Sequence, residues 1–133
     1  MAMNSKRFLL LGAVLVALNA FFWLAQGGFA LPQALIDRFF GPRMIRAEVI
    51  LQGARGVVND FRLDRGVITA TGPGSITLRE RDGTLVTIPV AAGARVVGSP
   101  RFTDVSRLRP PLRVLVVRKA NTPANVIQVE GRG

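Results

Sequence analysis

The sequence predicts an all-β fold: a small barrel of short antiparallel strands carried behind an N-terminal transmembrane helix. Three observations lead there. Phe8 to Ile36 runs for 29 residues without a charge. From Arg46 onward, Val, Ile and Thr alternate with polar residues in runs of five to eight, bounded by Gly, Asp and Pro, which is how short strands read. No helical segment recurs between those runs, which argues against a parallel sheet with crossover helices.

The organisation follows in order. Residues 1–7 form a basic segment, with Lys6 and Arg7 ahead of the apolar run. Residues 8–31 form the anchor. A secretory signal needs roughly 7 to 15 apolar residues, whereas about 30 Å of hydrocarbon needs roughly 20 at a 1.5 Å rise. Phe8 to Leu31 supplies 24, of which 14 are Phe, Leu, Val or Trp, a summed insertion free energy of roughly −4 to −8 kcal/mol. Ala25-Gln26-Gly27 also reads as a small-x-small cleavage site, so a cut signal is the alternative. Lys6 and Arg7 on one side face Arg38, Arg43 and Arg46 on the other, a nearly balanced count. The short N-terminus favours a signal-anchor with its C-terminal part outside the cytoplasm. Residues 32–45 are a linker in which Pro32 restarts the chain. Leu35, Ile36, Phe39 and Phe40 then fall at helical spacing, either on a membrane surface or against the barrel behind. Gly41-Pro42 closes that segment.

Residues 46–133 are the barrel. Strands are expected at Ala47 to Gln52, Val57 to Leu63, Gly66 to Thr71, Ser75 to Glu80, Thr84 to Val90, Arg95 to Val97, Leu112 to Lys119 and Val126 to Glu130. Thr103 or Asp104 is placed to cap one helical turn ahead of Pro110. Within "SITLRERDGTLVTIPV" the register can be argued. A two-residue Asp82-Gly83 turn would mix polar and apolar residues on both faces. A three-residue loop, Arg81-Asp82-Gly83 with Gly83 left-handed, pairs Leu78 with Val86 and Ile76 with Ile88 and gives one apolar face. Arg79 then points outward.

"RGVITATGPGSITLRERDGTLVTIPV", "DVSRLRPPLRVLVV" and "ANVIQVE" together resemble a group of exported bacterial domains of unknown function built on an OB-like β-barrel. The resemblance covers roughly residues 65–130 and rests on strand-and-turn rhythm. Pro110-Pro111 stands where that rhythm commonly has Gly. The resemblance implies an OB-like fold and a bacterial cell-membrane location, and it transfers no catalytic residue.

Composition narrows the chemistry. With neither Cys nor His, the chain has no disulfide, no thiolate zinc site, no cysteine nucleophile and no histidine base. The four serines therefore have no histidine partner, and no G-x-x-x-x-G-K-[ST] loop occurs. Asp60, Asp64, Glu80 and Asp82 could pair for acid–base work or hold a hard cation. Asp64 and Asp82 nevertheless sit near turn glycines, where Asp serves local hydrogen bonds. The expectation is a non-catalytic module with no cofactor and no metal. Its net charge is +10, and 16 of 18 basic residues are Arg. Guanidinium suits phosphate and carboxylate; Arg-biased codon usage accounts for the same count. Arg79, Arg81, Arg107, Arg109 and Arg113 are the candidate anion-binding residues. Their partner would be a protein, an anionic envelope polymer, lipid headgroups or, through its phosphate backbone, nucleic acid. Sequence-specific nucleic acid is disfavoured, since past Arg46 only Phe61 and Phe102 are aromatic, too few for a stacking platform.

Overall fold

The structure is a computed structural model that describes residues 5–26 and 33–132. The expected restart at Pro32, the end of the anchor and the last residue of the cleavage motif lie outside the described residues. Helix α1 (Ser5–Gln26) and helix α2 (Gln33–Phe40) precede six strands: β1 (Arg46–Gln52), β2 (Val58–Gly72), β3 (Ser75–Glu80), β4 (Leu85–Val97), β5 (Leu112–Lys119) and β6 (Ala124–Arg132). Short 3-10 turns at Ala54–Gly56 and Val105–Arg107 complete the described elements.

The sheet order is β1-β2-β3-β4-β6-β5, and β2 also pairs with β5. The five strands β2 to β6 therefore close into a small all-β barrel of OB-like order, with β1 added along the first half of β2. Two details differ from expectation. The β4–β6 pairing is parallel, and β2 and β4 are long, at 15 and 13 residues. Strand β2 passes straight through the Asp64–Gly66 segment read as a turn. Gly66 is there for close approach, because a Cβ would lie 2.7 Å from the Arg79 carbonyl oxygen on the paired strand. Strand β4 bridges the expected gap between Val90 and Arg95, where it changes partner from β3 to β6. Its alternation lapses at that exchange, which is why it reads as two strands.

The β3–β4 hairpin has the expected register, Leu78 opposite Val86 and Ile76 opposite Ile88. Its loop closes through Gly83 N–H to Glu80 C=O at 3.0 Å and Glu80 N–H to Thr84 C=O at 2.9 Å. Gly83 has φ of +86°, a region that β-branched residues resist. Gly83→Val is expected to lower stability by more than about 1 kcal/mol; an unchanged melting midpoint would contradict this loop geometry. The cap also appears as expected, with Asp104 Oδ1 accepting from Ser106 N–H at 3.1 Å.

Two apolar clusters hold the molecule. Inside the barrel, Ile68, Ile76, Leu78, Ile88, Val114, Val116 and Ile127 pack with Leu108 and their neighbours. Outside it, Phe61, Leu63, Leu115 and Val117 project from β2 and β5 and are covered by Phe22 of α1 and Ile36 of α2. Alternation explains this division. Odd-numbered residues of β2 face the helices, and even-numbered ones from Asp64 onward face the lumen. Phe22 stacks on Phe61 with centroids 4.9 Å apart, and Lys119 Nζ lies 4.6 Å from the Trp23 ring centroid. The α2 stripe splits between the two roles open to it: Ile36 is buried on the barrel, while Leu35 and Phe39 are exposed.

Helix α1 is long and apolar enough to cross a membrane. From Ser5 to Ala17 it is exposed throughout, and contact with the barrel begins at Leu18. The β1–β2 hairpin runs beside it. Asn59 Nδ2 donates to Asn19 Oδ1 at 3.3 Å, and beyond that contact an open groove separates Gln52, Ala54 and Val57 from Gly12, Leu15 and Val16.

Candidate anion-binding cleft and a buried carboxyl pair

The row Arg79–Val67–Arg113 is set by register: Val67 of β2 faces Arg79 on β3 and Arg113 on β5. Cross-strand partners share a face, and strands lie about 4.8 Å apart, so the two arginine Cα atoms stand roughly 10 Å apart across Val67. These residues line a cleft of about 550 Å³, joined by Arg81 from the β3–β4 loop and Arg65 from β2. Asp37, Pro42 and Met44 form the wall on the α2 side.

Arg65 forms the base of the cleft. Its side chain is 10% exposed, and its Nε donates to Glu130 Oε1 at 3.0 Å while Nη2 donates to Asp37 Oδ1 at 3.4 Å. Two carboxylates pair with it, and a buried guanidinium requires such partners. The rim differs. Among the described residues no ion pair involves Arg79, Arg81 or Arg113, and all three are exposed. Three of the five candidate arginines thus converge. Arg107 and Arg109 lie elsewhere, at the turn before β5, where Arg109 Nη1 donates to the Ser106 and Leu108 carbonyl oxygens at 2.6 and 2.9 Å. Sequence reasoning missed Arg65, Asp37 and Glu130, since only the closed barrel and the docked α2 bring these distant positions together.

Three of the four singled-out acids also meet. Arg46 Nη1 pairs with Glu80 Oε2, and its Nη1 and Nη2 reach Asp82 Oδ2 at 2.9 and 2.7 Å. Asp64 and Glu80 both face the lumen, within electrostatic reach of each other. Asp82 does perform turn duty, accepting from Thr84 N–H at 3.1 Å. Asp64 does not, since it lies mid-strand, and Asp60 stands apart with a buried Oδ1 that has no hydrogen-bond partner.

Burial pushes the Glu80 carboxyl above its ordinary range; Asp64 adds to the rise, and Arg46 pulls the other way. Burial prevails, because the Glu80 side chain has no exposed surface. Glu80 Oε1 is buried without a hydrogen-bond partner. Asp82 shifts down, first through the Thr84 backbone N–H and then through other hydrogen bonds and Arg46. The signs separate in pH. A carboxyl raised in the folded state contributes stability that is complete below its unfolded value near 4.5 and is lost as pH climbs through the folded value. Wild-type stability is expected to fall above pH 4.5, by at most about 1.4 kcal/mol per pH unit for one proton. Glu80→Gln should flatten that slope. The Asp82 contribution has the opposite sign and disappears only as pH falls below about 3.8. Urea melts of both proteins across pH 4 to 8 check this, and parallel slopes would count against a raised Glu80 carboxyl.

Among the described residues no group of three or more acidic side chains is placed to hold a metal ion. Phe61 is covered by α1 and Phe102 is half-buried against the barrel interior, so neither presents a face for a base. No protein-family model, curated protein or solved structure matches the chain.

Proposed function

We propose that the chain is a membrane-anchored, non-catalytic interaction module of a bacterial cell envelope, with α1 as a single-pass anchor and the barrel outside the cytoplasm. The observation that carries this reading is the division of α1. Thirteen residues, Ser5 to Ala17, are exposed and almost wholly apolar after Lys6 and Arg7, and the next turns are built into the barrel. An aqueous protein gains nothing from such a surface. Among the described residues outside α1, the exposed large apolar side chains are Leu35, Phe39, Ile50, Val57, Val58 and Leu85; all but Leu85 belong to α2 or to the β1–β2 hairpin, close to α1.

The orientation rests on Lys6 and Arg7 at the head of the apolar run, and the envelope setting on the resemblance to exported domains. Electrostatic capture of an anionic partner is the companion reading, favoured by three exposed arginines on the cleft rim with no ion pair among the described residues. Protease treatment of intact cells tests the arrangement: the barrel should be digested from outside, with the protein resisting alkaline extraction from membranes. Release by alkali would remove the anchor, and protection of the barrel in intact cells would reverse the orientation.

A further inference from the structure

We infer that the cleft between β2, β3, β5 and α2 binds the phosphate of an anionic phospholipid headgroup, with Arg79, Arg81 and Arg113 as its ligands. The inference rests on the anchor reading and adds the ligand class and the residues.

The charge pattern favours a small tetrahedral anion. Arg79 and Arg113 flank a half-buried Val67 floor, and Arg81 closes a third side. Three guanidinium forks can share the oxygens of one phosphate, each giving paired N–H donors. The carboxylates at the base, Glu130 and Asp37, are already engaged by Arg65 and not by the rim arginines. An entering anion therefore meets the rim charges without having to displace an internal carboxylate from them.

Position favours a lipid as the source. On α2, Asp37 lies two positions from both Leu35 and Phe39, which puts it on the opposite flank of a helix with 3.6 residues per turn. The apolar flank meets α1, where Phe39 and Phe21 have centroids 6.4 Å apart, and the other flank forms the cleft wall. One helix diameter, about 10 Å, separates them. That distance matches the step from acyl chains to phosphates and is about one Debye length at physiological salt. With α1 in a bilayer and Leu35 and Phe39 at its apolar edge, the arginines stand in the phosphate layer.

The test uses the full-length protein in nanodiscs of equal parts phosphatidylcholine and phosphatidylglycerol, transferred to detergent, with the retained lipid counted by native mass spectrometry. Wild type should retain phosphatidylglycerol in preference to phosphatidylcholine. Arg79→Gln with Arg113→Gln should reduce that preference by about thirtyfold, the product expected for two basic residues at an anionic surface. Arg107→Gln with Arg109→Gln removes the same charge outside the cleft and should leave the preference intact. Equal losses in the two double variants would overturn the site, as would no preference in wild type. Inorganic phosphate is titrated in parallel. Cleft-dependent binding of phosphate without lipid retention would overturn the lipid assignment. If a double variant misfolds, raising inorganic phosphate on wild type should still displace phosphatidylglycerol, and no displacement would count against the cleft. Loss of α1 from the membrane in alkali would instead strike the anchor reading, so the two failures are distinguishable.

Discussion

Gly66→Val is expected to lower the stability of the barrel by about 3 kcal/mol, at the upper end of what overpacking costs. The obstacle is backbone. A Cβ at this position would lie 2.7 Å from the Arg79 oxygen, 3.1 Å from its carbonyl carbon and 3.2 Å from Leu78 Cβ. No side-chain rotation relieves the first two contacts, so β2 and β3 would have to separate where Gly66 faces Glu80. That separation also pulls Glu80 from Asp64 and shifts the floor between Arg79 and Arg113. A thermal melt should show a midpoint lower by roughly 10 °C or more. A variant melting within a few degrees of wild type would mean that the strands do not approach so closely.

Phe61→Ala is expected to have a comparable or larger effect through another route. Phe61 is fully buried on the outer face of β2, stacked on Phe22 and edge-on to Trp23 with centroids 6.0 Å apart. Truncating a buried Phe costs about 3–5 kcal/mol, and the aromatic pairing adds about 0.5–1.5 kcal/mol. The loss should fall on the joint between α1 and the barrel, while the lumen retains its own cluster. Trp23 is the single tryptophan, so its near-ultraviolet circular dichroism reports that joint alone. The signal should collapse in Phe61→Ala at temperatures where the far-ultraviolet strand signal persists. Loss of both signals together would show that joint and barrel unfold as one unit.

The barrel was largely legible because alternation is local. Ile76, Leu78, Val86 and Ile88 lie within 13 residues, and only one loop length puts them on one face, so register and Gly83 conformation followed together. Gly66 was misread for an equally physical reason: a glycine required by a neighbouring backbone looks the same in sequence as one required by a turn. The parallel β4–β6 pairing could not be read at all, because the partners Val96 and Ile127 are set by closure of the whole sheet. The site was half legible. Arg79 and Arg113 were singled out as basic residues, but their shared row depends on Val67 lying between them. Phe61 was read as one of two aromatics too few for stacking; what it stacks on is Phe22, 39 residues earlier and on the helix read only as an anchor.

The β1–β2 hairpin lies beside the apolar part of α1, so a bilayer crossed by that helix would compete with the hairpin for it. With Lys6 and Arg7 in one headgroup layer, about 30 Å of hydrocarbon reaches to roughly residue 26 at 1.5 Å per residue. The turn at Ala54–Gly56, which faces Gly12 and Leu15 across the groove, would then lie deep among acyl chains. Neither Arg55 nor the open edge of β1 could be hydrated there. A crossing helix must therefore part from the hairpin below Leu18, giving up the Asn19–Asn59 hydrogen bond, while Phe22 and Phe61 near the outer boundary can remain stacked. For a helix that crosses a bilayer, membrane insertion and hairpin docking would compete for Gly12 to Asn19. That balance would depend on bilayer thickness, so the tilt of the barrel above the surface would be set by the lipids around it.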